Sequence, residues 1–295
     1  MVAERQRLAP AKVNLFLHVG PPRADGYHPV CSLATFADIG DLVRLSPAET
    51  MAFAIEGPFG AALAGEADNL VTRARDLALA AYPAPPPFRL TLEKRLPIAA
   101  GLGGGSSDAA ATLRLIGEAL GLDDQGAFAT IARQLGADAL MCLEARAVLA
   151  GGRGDDLAPP PAFPDLPAVL VNPLQPSPTG AVYRGYDDAG APGAADAPAW
   201  PAALPTAAAV AAFLAGCRND LEAPAISLQP AIAEVLAALR GQPQTLLTRM
   251  SGSGATCFAL CAGSAERDDL AATIAAEHPN WWVQPCVLAG SATQA

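Results

Sequence analysis

Four glycines and two serines crowd the stretch Pro97-Ile98-Ala99-Ala100-Gly101-Leu102-Gly103-Gly104-Gly105-Ser106-Ser107-Asp108. An apolar run follows in which Leu113, Ile116 and Leu120 share one helical face. Glycine-rich backbone entering a helix N-terminus is an anion site. Its amides point outward, no side chain blocks close approach, and the helix dipole favours negative charge. The natural guest is a nucleotide phosphate, and a branched side chain at Gly104 is expected to fill phosphate space. Ser106 or Ser107 is expected to cap the helix and Gly121 to end it. The spacing excludes better-known loops. No lysine follows as a P-loop requires, and Ser106 stands where a dinucleotide fold needs its third glycine. Val-Ala-Ile-Lys and His-Arg-Asp, the marks of a protein kinase, are absent.

Lysine appears only twice, as Lys12 and Lys94, in a chain with 17 arginines. A compact ammonium differs from a guanidinium in reach and hydration, so both lysines are candidates for chemistry. From Lys12 to Val19 the sequence alternates, and a strand there aims Lys12, Asn14, Phe16 and His18 to one face. Arg23-Ala24-Asp25-Gly26-Tyr27-His28 reads as a turn with polar and aromatic tips. Asp138 follows a helix in Gly136-Ala137-Asp138, a position that by itself suits a cap or a turn. Ser251-Gly252-Ser253-Gly254 reads by itself as a turn.

These residues need a scaffold of mixed α and β elements. Strands are expected at Leu42–Leu45, Met51–Glu56, Phe88–Leu92, Arg146–Ala150, Ala168–Val171, Cys257–Cys261 and Trp281–Leu288. Helices are expected after an Asp68 cap with Leu70, Ala74, Leu77 and Ala81 on one face, and at 128–135, 206–215, 226–239 and 264–276, the last capped by Ser264. Five prolines between Leu157 and Pro167 mark a junction, giving domains 1–157 and 158–295. Asp187–Pro205 reads as an exposed, mobile loop.

The 295 residues are 52% hydrophobic, enough for a full core, and the net charge of −10 argues against nucleic-acid or anionic-membrane partners. Six cysteines form no Cys-x-x-Cys pair, and with three histidines no structural zinc site is expected. No signal-peptide core and no run of 18 apolar residues is present, so a reducing cytoplasm is expected.

The glycine stretch closely resembles the phosphate loop of the GHMP kinases. Pro-Ala-Lys-Val-Asn-Leu (10–15) resembles their first motif and Arg249–Ala255 their third. The resemblance implies an α+β, two-domain GHMP kinase fold: an N-terminal domain related to ribosomal-protein S5 domain 2 and a ferredoxin-like C-terminal domain, with the site in the cleft between them. It implies ATP and Mg2+, the loop from Pro97 through Ile98, Ala99, Ala100, Gly101, Leu102, Gly103, Gly104, Gly105 and Ser106 to Ser107 on the phosphates, Ser107 near the metal, and Asn69 and Lys94 near adenine. Lys12 and Asp138 become the catalytic pair. One departure is Ala139-Leu140 where the family continues Val-Pro.

Asp25-Gly26-Tyr27-His28 so soon after the first motif resembles one branch in particular. Its acceptor is 4-diphosphocytidyl-2-C-methyl-D-erythritol, phosphorylated on the 2-hydroxyl in non-mevalonate isoprenoid synthesis. There Tyr27 stacks on cytosine and His28 reads its edge, reasonable chemistry for a pyrimidine. Asn14, Thr179, Tyr183, Gly252, Ser253 and Gly254 complete the acceptor side, and Arg218-Asn219-Asp220-Leu221 resembles a further family segment. The implied enzyme is cytoplasmic, a monomer or weak homodimer acting on a small cytidine-diphosphate-bearing molecule. The alternatives are another GHMP kinase, such as one for homoserine or mevalonate, and a nucleotide-binding protein without activity.

Overall fold

A computed structural model of the chain describes residues 3–63, 69–80, 85–122, 125–190 and 193–291. The expected Asp68 cap and Ala81 lie outside them. Two compact units emerge. One gathers the described residues of 1–11, 39–98 and 103–145; the other gathers 12–38, 99–102 and 146–291. Each collects separated stretches of chain, so neither coincides with 1–157 or 158–295.

Two long strands, β1 (Arg5–Val19) and β2 (Val30–Pro47), pair with each other and contribute residues to both units. The alternation at Lys12–Val19 holds, but every residue from Ala11 to Val19 is buried, so the polar face is covered too. Only Leu42–Leu45 of β2 was legible. Residues 31–37 are all buried, and a strand covered on both faces shows no period of two.

In the first unit, β3 (Ala52–Glu56) runs parallel to β4 (Phe88–Glu93), and β4 pairs antiparallel with β2 from Leu42↔Glu93 to Pro47↔Phe88. Phe88, Leu90 and Leu92 alternate into the core, each such side chain contributing roughly 1.5–3 kcal/mol by leaving water. The helices are α1 (Leu70–Leu79), α2 (Gly104–Leu120), α3 (Gln125–Leu135) and α4 (Ala139–Glu144). The buried face of α1 is Val71, Ala74 and Ala78, one residue round from the expected Leu70–Ala74–Leu77 stripe. The predicted face of α2 is right at Leu113 and Ile116, and Gly121 ends the helix in the left-handed conformation.

The second unit contains β5 (Val148–Gly151), β6 (Asp156–Ala158), β7 (Leu166–Asn172), β8 (Thr245–Met250), β9 (Cys257–Cys261) and β10 (Trp282–Leu288). Its antiparallel order runs β10-β7-β9-β8, with Trp282↔Asn172 through Leu288↔Leu166 in register. Helices α5 (Thr179–Asp188), α6 (Ala207–Ala215), α7 (Glu222–Leu228), α8 (Ala231–Arg240) and α9 (Ser264–Glu277) complete it. Two expectations change here. The single helix at 226–239 divides at Gln229-Pro230, because proline lacks the amide that would continue α7. Gly263, not Ser264, occupies the α9 cap position.

Candidate active site

Helix α2 begins at Gly104, with Gly103 as its left-handed N-cap (φ 63°) and no side chain capping it. The expected serine cap is absent. Ser107 lies inside the first turn, buried, and its hydroxyl donates to the Pro10 carbonyl (2.7 Å). The first intrahelical bond is Ser107 N–H to Gly103 O, so the amides of Gly104, Gly105 and Ser106 have no helical acceptor. A glycine cap leaves those donors and the positive end of the dipole to an anion.

Beneath this turn lies a buried ionic triad. Lys94 Nζ donates to Asp41 Oδ2 (2.5 Å) and to Asp108 Oδ2 (2.9 Å). Asp41 Oδ1 also accepts the amides of Arg95 (2.6 Å) and Leu96 (2.8 Å). Burial pushes the Asp108 carboxyl up to about 8, opposed by the Lys94 charge and assisted by Asp41. Burial alone would lower the Lys94 ammonium, but the two carboxylates hold it above its ordinary value. A Cβ at Gly104 would stand 2.9 Å from Lys94 Nζ, whereas one at Gly105 would meet only Leu70 Cδ1 at 3.3 Å. Gly104 is therefore closed to a branched side chain by the triad itself. Asn69 is the α1 cap, its Oδ1 accepting the Val71 amide (2.9 Å), and is buried rather than solvated. Asp138 precedes α4 in helical conformation, makes no cap bond to it and is half-buried.

The second unit ties three separate motifs together. Lys12, buried, donates from Nζ to Asn14 Oδ1 (2.6 Å), and Asn14 Nδ2 donates to Ser32 Oγ (2.7 Å). The Asn14 amide bonds Ser251 Oγ (3.1 Å), and that hydroxyl donates to the Gly101 carbonyl (2.9 Å). Backbone bonds from Lys12 N to Leu102 O and from Thr256 N to Ala100 O close the connection. A Cβ on Gly101 would lie 2.3 Å from Ser251 O, so only glycine permits this approach. Asn219 Nδ2 donates to Met250 O and Gly252 O (both 2.8 Å). Arg249, whose guanidinium burial pulls down, donates to Leu15 O, Leu214 O and Cys217 O (each 2.8 Å).

A third group surrounds His28. Its Nδ1 bonds the Gly20 carbonyl (2.8 Å), which can only accept, so Nδ1 carries the proton. Nε2 faces Asp187 Oδ1 at 3.2 Å, and the Tyr183 ring lies 5.1 Å away, centroid to centroid. Thr179 Oγ1 and Ser253 Oγ are 2.8 Å apart, and Ser177 donates to Ser253 O. Tyr27 is exposed, with the Arg153 guanidinium 4.2 Å over its ring.

Residues 69–146 match the GHMP kinases N terminal domain and 206–283 the GHMP kinases C terminal domain. The chain is 56% identical over 284 residues to the 4-diphosphocytidyl-2-C-methyl-D-erythritol kinase of Caulobacter vibrioides (strain NA1000 / CB15N), covering 95% of this chain and 98% of that one. This chain belongs to the 4-diphosphocytidyl-2-C-methyl-D-erythritol kinase family of the GHMP kinases. A crystal structure of 4-(cytidine 5'-diphospho)-2C-methyl-D-erythritol kinase superposes with a TM-score of 0.77 at 34% identity, over 97% of this chain and all of that one. Homoserine kinase from Cytophaga hutchinsonii (TM-score 0.69, 18% identity, 99% and 96% coverage) shares the two-domain GHMP kinase fold.

Within this family member, the structure groups Lys12, Asn14, Gly101, Gly252 and Ser253 with Thr179 in one unit, and Asn69, Lys94, Gly103–Ser107 and Asp138 in the other. It turns both His28 ring nitrogens to protein groups, Gly20 and Asp187, rather than leaving one unengaged. Most residues of 193–205 are exposed, as expected, but the segment has a few anchors. Asp196 O bonds His18 Nδ1, Trp200 stacks near Phe16 and Phe213, and Leu204 is buried. Sequence reasoning missed Asp41, Ser32, Asp187 and Arg153. Asn219, Ser251, Arg249 and Asp108 had a signal, as members of motif-like segments.

Proposed function

We propose that this chain transfers the γ-phosphoryl group of ATP to the 2-hydroxyl of 4-diphosphocytidyl-2-C-methyl-D-erythritol, giving the 2-phosphate and ADP in the non-mevalonate isoprenoid pathway. The observation that carries this reading is full-length identity of 56% to a kinase of that name. The hydrogen-bonded link between Lys12, Asn14, Ser251 and Gly101 supports it. Phosphoryl transfer is mostly positioning and charge stabilisation. The uncapped amides of Gly104, Gly105 and Ser106 take the phosphates. Lys12, held by Asn14, offsets charge on the emerging alkoxide. Asp138 takes or orients the hydroxyl proton.

Mg2+ fits this donor set. Magnesium keeps its waters and binds largely through nucleotide phosphates, so the groups that would hold it in place are the amides of Gly104, Gly105 and Ser106 that would take those phosphates. When bound, it neutralises β- and γ-phosphate charge. The loop amides would hold the triphosphate, through which the cation would be held. Ser107 donates its hydroxyl hydrogen to Pro10 O and keeps the lone pairs on its oxygen, so it would still suit a place near the cation.

On the acceptor side, Tyr27 and Tyr183 offer aromatic surface to cytosine, with His28 held through Nδ1 by the Gly20 carbonyl. Domains at 1–157 and 158–295 accommodate the two family matches at 69–146 and 206–283. The six free, buried cysteines suit a reducing cytoplasm. ADP release measured with the cytidine acceptor, its uridine analogue, mevalonate, homoserine and galactose tests the assignment. Turnover confined to the cytidine acceptor is expected; efficient phosphorylation of mevalonate or homoserine refutes it.

A further inference from the structure

Arg153 sits at the tip of the turn joining β5 to β6. Gly154 N–H closes that turn on Gly151 O (2.8 Å), and Gly152 takes the left-handed φ of 63° that a tight turn of this kind needs. The turn is anchored by Val30 N–H on Gly152 O (2.9 Å), two residues beyond His28. The loop carrying Tyr27 is closed on itself by Arg23 N to Tyr27 O (2.8 Å), Gly26 N to Arg23 O (2.9 Å) and Tyr27 N to Asp25 Oδ1 (3.0 Å). Arg153 joins the two. Its guanidinium pairs with Asp25 (2.5 Å) and lies 4.2 Å over the Tyr27 ring. The Tyr27 amide and then Arg153 hold the Asp25 carboxyl below its ordinary range.

All three side chains are exposed, so this pair adds little to folding stability. Its geometric effect is larger. An exposed tyrosine samples several rotamers, and a planar cation over one face selects one of them and leaves the opposite face open. Fixing a contact group before binding lowers the ordering cost of the complex.

We infer that Arg153, braced by Asp25, is a positioning residue for the acceptor, holding the Tyr27 ring as a ready platform for the nucleobase. The inference rests on the reading above that Tyr27 meets the cytidine end. The test is calorimetry with cytidine 5′-diphosphate as probe, on wild type, Arg153→Gln, Tyr27→Ala and the double variant, together with steady-state kinetics. Arg153→Gln should raise the probe Kd and the acceptor KM about three- to tenfold, the range of a cation–π contact, with ATP KM and kcat unchanged. In the Tyr27→Ala background Arg153→Gln should have no further effect, and Arg153→Lys should fall between wild type and Gln. A Kd unchanged by Arg153→Gln but raised by Tyr27→Ala overturns the inference and leaves the acceptor reading standing. A Kd unchanged by Tyr27→Ala removes the acceptor reading itself. Additive losses in the double variant, or tighter binding by Arg153→Gln, also overturn the inference, since the guanidinium would then act independently of the ring or obstruct it.

Discussion

Replacing Asp108 by asparagine should change how stability depends on pH. Asp108 is buried, bonded through Oδ2 to Lys94, and among the described residues its Oδ1 has no hydrogen-bond partner. Burial raises its carboxyl from 3.8 to about 8. Between those values the folded chain keeps a proton that the unfolded chain has released. Unfolding free energy therefore falls as pH rises, at a limiting slope of about 1.4 kcal/mol per pH unit for one proton, and flattens above the folded value. The contribution is fully present below the unfolded value and lost as pH rises through the window up to about 8. Asparagine resembles the protonated acid in shape, can accept from Lys94, and cannot titrate. Urea unfolding of wild type and Asp108→Asn at pH 5.5, 7 and 8.5 reads this proton together with its coupling to Lys94 and Asp41, because groups outside the triad titrate alike in both. The stability difference should move in favour of Asp108→Asn by a few kcal/mol from the lowest to the highest pH. Parallel pH profiles would refute the reasoning and mean that Asp108 is ionised throughout.

Other outcomes follow from the same geometry. Gly105→Val should fold with little loss of melting temperature yet bind a non-hydrolysable ATP analogue poorly by calorimetry, whereas Gly104→Val should lose stability by striking Lys94. Lys12→Met and Asp138→Asn should each lower kcat by roughly 10² or more in a coupled ADP assay. Wild-type turnover in either variant would remove that residue from the chemistry. Arg249→Met should destabilise the chain by about 3 kcal/mol in denaturant, since three buried carbonyls lose their donor, and a change under about 1 kcal/mol would mean that water replaces the guanidinium.

The fold was legible where one face of an element meets water. β4 alternates, α2 shows a helical stripe and ends at Gly121, and both appear as expected. Elements buried on every side were harder to read. Residues 30–41 of β2 have no alternation, and α4 is six residues of which five are buried. Capping was misread because the sequence shows which residues can cap but not which side chain has a better partner. Ser107 finds the Pro10 carbonyl, and a glycine takes its place at the helix start. Low complexity at 193–205 read correctly as exposed, but it gave no sign of the contacts that Trp200 and Leu204 make.

The candidate site divides along a related line. Groups that meet a ligand lie in short contiguous motifs, because a loop must present several atoms to one small molecule. Groups that hold those motifs need only be near in space. Asn14 and Ser251 are 237 residues apart, and Lys94 and Asp41 are 53 apart. No local pattern reports such pairs. Asn14 shows the consequence. The family resemblance puts it on the acceptor side; its side-chain oxygen accepts from Lys12 and its nitrogen gives one of its two hydrogens to Ser32. A fixed ammonium is worth more to a transition state than one that must be ordered during the reaction, since its orientation is set before charge develops. We propose that Asn14 acts by immobilising Lys12. Removing that amide should lower turnover while leaving acceptor affinity close to wild type, the split that separates a positioning group from a binding one.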